Sequence, residues 1–186
     1  MKKVQPLILM LLTFVFFLPT ETILSQALPE QLPGLDTSPA DISAYRPSRN
    51  EAPIIKVVYS RPQKKGRDIF GALVPYDKVW RTGANESTEI TFYKDVKMGD
   101  QSVAAGTYEL FTAPTANEWT IILNKETGQW GAYSYMEASN VAQVKVPAKQ
   151  TEKEVEAFTI VFDKAENGAT MFLAWDKTYV AVPFSW

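Results

Sequence analysis

Charged and amide side chains concentrate in one short stretch of the sequence, residues 59–88. It reads YSRPQKKGRDIFGALVPYDKVWRTGANEST and sets Trp80 and several glycines among eight polar residues: Arg61, Lys64, Lys65, Arg67, Asp68, Arg81, Asn85 and Glu86. Guanidinium, amide and carboxylate groups beside an indole face suit binding of a carboxylate, a sugar or a peptide terminus. The connections of a β-domain do not need this density of charge, so the stretch is the candidate site.

Arg81 and Asn85 support two interpretations. In the first, Arg81, Asn85 and Glu86 contact a ligand. In the second, Gly83 and Asn85 supply unusual backbone angles, and Arg81 pairs with Asp68 or Glu86 to hold a long loop.

The basic residues of the stretch are open to a similar choice. Arg61, Lys64, Lys65 and Arg67 either attract a small anion or form a solvated loop. Lys65-Gly66-Arg67 lacks the spacing of a P-loop, so nucleotide binding is not expected.

Asp68 and Glu86 are the candidates for catalysis, with Glu89 close in sequence. Two carboxyl groups about 5–9.5 Å apart can cleave a glycosidic bond, which makes a histidine-free hydrolase or lyase an alternative function. A structural or interaction domain is the third alternative.

The aromatic residues give a further prediction. Trp119, Trp130, Tyr133, Tyr135 and Trp175 could form a sugar-stacking platform, of which Trp119 is predicted to lie in the core by strand alternation. Trp130 has glycines close on both sides in Gly128-Gln129-Trp130-Gly131 and is the candidate for ligand contact.

The composition excludes several classes of site. With no cysteine and no histidine, the chain has no disulfide, no thiolate or imidazole metal ligand and no Ser-His-Asp triad. We therefore expect no metal and no cofactor. The formal net charge of −2 disfavours general nucleic-acid binding, which depends on neutralising several phosphates.

The first 27 residues have the pattern of a signal peptide. Lys2 and Lys3 precede a twelve-residue run, residues 7–18, that is apolar except for Thr13, and Ser25-Gln26-Ala27 ends in small residues. The run is shorter than the roughly 20 residues that span a bilayer. Cleavage after Ala27 would leave 159 residues with a net charge of −3 and no membrane span, and we expect a soluble periplasmic or secreted protein.

The mature sequence predicts an all-β domain behind an extended arm. Residues 28–53 hold prolines at positions 29, 33, 39, 47 and 53, and we expect them to form a proline-rich arm. Residues 54–186 alternate in hydrophobicity over about eight short strands, which indicates an antiparallel β-sandwich or jelly roll with only short helical turns. Hairpin turns are expected at Gly99-Asp100, Asn167-Gly168 and Asp176-Lys177.

Several motifs together resemble a known family. They are LDTSPADISAYRP, YSRPQKKGRDIFGALVPYDKVWRTGANESTEITFYKDV, AGTYELF, WTIILNKETGQWGAYSY and the closing pair of strands. The chain from Leu35 to Trp186 resembles the exported bacterial family known as domain of unknown function 2911. The resemblance implies a secreted, mostly-β domain and leaves the activity open.

Overall fold

The computed structural model describes residues 28–186, so the predicted signal peptide lies outside the described residues. Residues 28–186 form ten strands: β1 (Ala40–Tyr45), β2 (Ile55–Ser60), β3 (Thr88–Phe92), β4 (Val96–Met98), β5 (Gln101–Val103), β6 (Gly106–Pro114), β7 (Glu118–Asn124), β8 (Asn140–Pro147), β9 (Lys149–Ala165) and β10 (Gly168–Ser185). One 3-10 helix, Glu137–Ser139, precedes β8. Within the described residues, no helix is long and apolar enough to cross a membrane.

The strands form two antiparallel sheets, which confirms the predicted all-β sandwich. The larger sheet has the order β1-β2-β3-β6-β7-β8, and the smaller has the order β5-β4-β10-β9. Strands such as β2, β3 and β4 alternate between buried and less buried positions, as expected when one face of each sheet packs on a shared core.

A single hydrophobic core joins the two sheets. The larger sheet contributes Val57, Ile90 and Trp119, and the smaller contributes Met171 and Leu173, all of them fully buried. Removing apolar surface from water stabilises the sandwich by about 25 cal/mol per Å². Trp119 therefore lies in the core, as its alternation predicts.

Two consecutive hairpins build most of the smaller sheet. Ala165 pairs with Gly168, so the first turn is Glu166-Asn167, one residue earlier than predicted. A straight strand of 18 residues would span roughly 60 Å, yet the two ends of β10 meet, because Trp186 N donates to Asn167 O at 3.2 Å. The chain therefore doubles back midway along β10, where Asp176 has a φ of 54°. This reversal matches the turn predicted at Asp176-Lys177.

A strand lies before residue 54, inside the stretch predicted as an extended arm. All six residues of β1 pair with β2, from Ala40 opposite Ser60 to Tyr45 opposite Ile55. Residues 35–186 form one compact unit, and residues 28–34 are outside it. Within the proline-rich stretch, residues 28–39 and 46–53 have no strand, and β1 lies between them.

The connection between β2 and β3, residues 61–87, is here named the crossing segment. It leaves the larger sheet at the end of β2 and runs along β9 of the smaller sheet, where Gln63 forms an antiparallel bridge with Ala157. Phe158 N donates to Pro62 O at 2.9 Å, and Lys64 N donates to Glu156 O at 2.7 Å. The crossing segment thus fastens one sheet to the other and then forms the candidate site.

Candidate functional site

The backbone of the crossing segment adopts unusual angles at four non-glycine residues. Lys65, Asp77, Thr82 and Asn85 have φ between 50° and 60°. A left-handed conformation costs about 1–2 kcal/mol for a residue with a Cβ, so the surrounding contacts must hold it in place. Asn85 therefore supplies an unusual angle, as predicted.

Gly83 is needed for space and not for its φ. A Cβ at this position would lie 2.9 Å from Ser60 O, at the end of β2. The residues after Arg81 are therefore pressed against the end of β2.

Arg61 uses all three of its nitrogens in contacts between strands. Nε donates to Phe158 O at 3.0 Å, Nη1 to Asp41 Oδ2 at 2.9 Å and Nη2 to Thr159 Oγ1 at 2.8 Å. The guanidinium thereby links β1 to β9. Arg61 does not line the cleft that Arg67, Arg81 and Asn85 share.

Lys64 is also engaged within the fold. Its Nζ lies 2.6 Å from a Glu154 oxygen and 2.9 Å from an Asp176 oxygen, and only 14% of its side chain is exposed. The hydrogen bonds that Lys64 Nζ donates to Glu154 and Asp176 raise the pKa of Lys64 above its ordinary value. The basic run is therefore neither a solvated loop throughout nor an open funnel, since Lys64 meets two carboxylates.

The remaining cations of the run reach a cleft of about 580 Å³, here named the cationic cleft. Its lining residues include three cations, two amides and two hydroxyls: Lys65, Arg67, Arg81, Gln63, Asn85, Thr37 and Ser38. No aspartate or glutamate of residues 28–186 lines it. Arg67 also secures the loop, because its Nε donates to Lys64 O at 2.9 Å and its Nη2 donates to Gln63 O.

Trp80 and Trp175 form an aromatic wall of the cationic cleft. Their rings stack with centroids 5.9 Å apart and an angle of 17° between the planes. Phe158 packs edge-on against Trp80 at 5.1 Å, and Trp80 Nε1 donates to Gly83 O at 3.1 Å. The two aromatic contacts and the hydrogen bond therefore hold the Trp80 ring in position.

Arg81 lies in the cationic cleft without an acidic partner. None of the ion pairs within residues 28–186 includes Arg81, so the predicted pairing with Asp68 or Glu86 is wrong. Its Nε is buried and has no hydrogen-bond partner in that part of the chain. A buried donor without a partner is costly, and a bound acceptor would remove that cost.

Trp130 and Tyr133 lie in the loop between β7 and β8. Trp130 is 60% exposed, and its backbone forms a bridge with Glu86, but its side chain does not line the cationic cleft. Tyr133, 84% exposed, shares a shallow pocket with Trp80 and Arg81. Because Trp119 and Trp175 are buried, the five aromatic residues do not form one platform.

The structure does not bring Asp68 and Glu86 together. Asp68 is exposed and lines a pocket with Tyr76 and Asp176. Glu86 is exposed and lines a different pocket with Glu89 and Glu109, here named the acidic pocket. Within residues 28–186, no group of three or more aspartate or glutamate residues is arranged to hold a metal ion.

The sequence did not single out Glu109, which is only 2% exposed. Burial raises the pKa of its carboxyl group, while the backbone donors of Gly128 and Gln129 lower it. The signal was present in the alternation of β6, since Tyr108 and Leu110 point to the core and leave Glu109 on the other face. Its burial there depends on the loop around Gly128, which alternation does not reveal.

The profile of the family described as "Protein of unknown function (DUF2911)" matches residues 38–184. The chain belongs to this family. No curated protein and no solved structure matches the chain. In this DUF2911 chain, the matched region includes the crossing segment, the cationic cleft except Thr37, and the acidic pocket.

Proposed function

We propose that this protein is exported and binds a small polar ligand through a carboxylate that enters the cationic cleft. The observation that carries the proposal is the charge of the cleft. Lys65, Arg67 and Arg81 line it without any acidic residue, although the whole chain has a net charge of −2. A ligand anion would be attracted to this local positive potential.

Arg81 is the residue that would fix the carboxylate. A guanidinium presents several donors in a rigid plane and matches a carboxylate with two parallel hydrogen bonds. Within residues 28–186 the Nε of Arg81 has no hydrogen-bond partner, so a carboxylate that reaches it would supply the missing acceptor. Lys65 and Arg67, which are exposed, would add attraction and weaker contacts.

The rest of the cleft favours a polar ligand body. Gln63 and Asn85 offer amide donors and acceptors, and Trp80 offers an apolar ring surface. Sugar acids and the carboxyl ends of peptides combine a carboxylate with such groups. Both are therefore included in the proposal.

Export is the second part of the proposal. It is supported by Lys2, Lys3, the apolar run of residues 7–18 and the small residues before Leu28. Sequencing the N-terminus of the recovered protein checks it. A chain that keeps residues 1–27 in a membrane fraction would contradict it.

Paired probes test the binding site. Glucuronate and N-acetylalanine should bind, while glucose and N-acetylalaninamide, which lack the carboxylate, should not. Arg81→Ala should weaken binding of the acids roughly 10- to 100-fold, because a hydrogen bond to a charged group contributes about 1.5–3 kcal/mol. Calorimetric titration measures both comparisons.

Arg49→Ala is the matched control, since Arg49 is exposed and lies outside the cleft. It should leave binding unchanged. Arg81→Ala should also keep its melting temperature, because its side chain makes no ion pair within residues 28–186. Unchanged binding, or a large loss of stability in Arg81→Ala, would overturn the proposal in favour of a structural role.

A further inference from the structure

The acidic pocket lies beside the cationic cleft and has the opposite charge. Gly83, Ala84 and Asn85 line the cationic cleft, and the next two residues, Glu86 and Ser87, line the acidic pocket. The acidic pocket has a volume of about 250 Å³ and contains no lysine or arginine among its lining residues. Three glutamates line it together.

Glu109 is the buried member of this group. Its Oε1 accepts a hydrogen bond from Gly128 N at 2.8 Å. Its Oε2 is buried and has no partner within residues 28–186. A buried acceptor left without a donor costs about 1–3 kcal/mol, more when it is charged, so a ligand that donates to it would be stabilised.

Glu89 lies directly opposite Glu109 in the pairing of β3 with β6. Side chains opposite each other in antiparallel strands have Cβ atoms about 4.5–5.5 Å apart, and like charges there repel. Neither residue, nor Glu86, forms an ion pair within the described part of the chain. No lysine or arginine of residues 28–186 pairs with these carboxylates, and a cation from outside would relieve the repulsion.

We propose that the acidic pocket binds a small organic cation through a primary ammonium or guanidinium group. Such a group has several donors for the oxygens of Glu86, Glu89 and Glu109. The walls formed by Ala40 and Val58 suit a short carbon chain. The volume is below the roughly 300–1,000 Å³ of pockets for drug-sized ligands, so the occupant is a small amine or one side chain of a larger molecule.

A metal ion fits the pocket less well. Hard cations such as Ca²⁺ take six to eight oxygen ligands in a preformed arrangement. The three glutamates are not arranged to hold a metal ion within residues 28–186. The site is also independent of the cationic cleft, because the two share no lining residue.

Butylammonium and butanol are a matched pair of probes for this site. At neutral pH and low salt, butylammonium should shift the amide NMR signals of Gly128 and Gln129 in a saturable way, while butanol should not. Glu89→Gln and Glu109→Gln should each weaken butylammonium binding by about tenfold, the equivalent of losing roughly 1.4 kcal/mol. Both substitutions keep the shape of the side chain and remove its charge.

Two controls separate this site from other effects. Glu152→Gln changes an exposed glutamate outside the pocket and should bind butylammonium normally. Arg81→Ala should also bind it normally, whether or not the cationic cleft binds acids. Absence of saturable binding, equal binding by Glu89→Gln, or tighter binding of Ca²⁺ in place of the amine would overturn the inference. Glu89→Gln decides the case if Glu109→Gln does not fold.

Discussion

The hairpins of β9 and β10 and the crossing segment stabilise their backbones in different ways. β9 and β10 pair along most of their length through main-chain hydrogen bonds. The crossing segment has only isolated bridges, and the side chain of Arg67 donates to two of its carbonyls, Gln63 O and Lys64 O. Several charged side chains of the crossing segment therefore form hydrogen bonds within the fold. Only donors without such bonds can contact a ligand.

The two regions meet at the reversal of β10. Asp176, whose positive φ marks that reversal, binds Lys64 of the crossing segment. Trp175, the residue before it, donates from Nε1 to Glu156 O at 3.1 Å and stacks on Trp80. The hairpins of β9 and β10 thus form one wall of the cationic cleft and keep the crossing segment in place.

The largest effect should come from Gly168 in the hairpin region. A Cβ there would collide with the carbonyl oxygen of Phe184, because the two ends of β10 lie against each other. Backbone atoms cannot move aside easily, so Gly168→Ala should lower the free energy of unfolding by about 3 kcal/mol. Thermal unfolding should show a decrease of several degrees in Tm.

Gly34→Ala is the control for that substitution, since nothing lies within 4 Å of its Cβ position. Its Tm should equal that of the parent chain. A normal Tm for Gly168→Ala would show that the ends of β10 are not in contact.

A smaller effect is expected at Arg61 in the crossing segment. Arg61→Ala removes three hydrogen bonds, one of them to Asp41, but the side chain is 32% exposed and water can replace part of the loss. We expect a decrease of about 2 kcal/mol in the free energy of unfolding, measured with urea. Comparison with Arg81→Ala distinguishes an arginine used by the fold from one that is free.

An equal loss of stability in Arg61→Ala and Arg81→Ala would remove that distinction. It would mean that side chains hold the crossing segment evenly along its length. The difference between the side chain of Arg61, which bonds to other parts of residues 28–186, and that of Arg81, which does not, would then no longer support a ligand site.

The smallest effect should be at Gly66, where the crossing segment turns with a φ of 70°. No atom lies within 4 Å of its Cβ position, so Gly66→Ala meets only the cost of a left-handed alanine, about 1 kcal/mol. Urea unfolding should resolve this difference from the parent chain. A loss as large as that of Gly168→Ala would indicate a contact that the structure lacks.

Local patterns were sufficient to predict most of the sheet. Alternation located β3, β6 and β7 closely, and the turn signals located the hairpins to within one residue. β1 was missed because its six residues lie in a proline-rich stretch and become a strand only by pairing with β2. A strand that depends on pairing with a distant segment shows no strand pattern in its own residues.

The sequence predicted the region of the site. It did not predict which of the residues there bond within the fold and which line the cleft. Arg61 and Arg81 look alike in sequence, yet the partners of Arg61 lie as far as 98 positions away. The same limitation applies to Glu109, which is buried by a loop about 20 residues further along the chain. Which charged side chains form contacts within the fold depends on residues that are distant in the sequence.

The link between the end of β2 and β9 also determines how the chain folds. Tyr59 and Ile160 exchange hydrogen bonds although 101 positions separate them. Proteins dominated by such distant contacts fold in milliseconds to seconds, because long loops must close before the contacts form. β9 is an edge strand of the smaller sheet, and before these contacts form its exposed Glu152, Lys153 and Glu154 would discourage pairing with another chain.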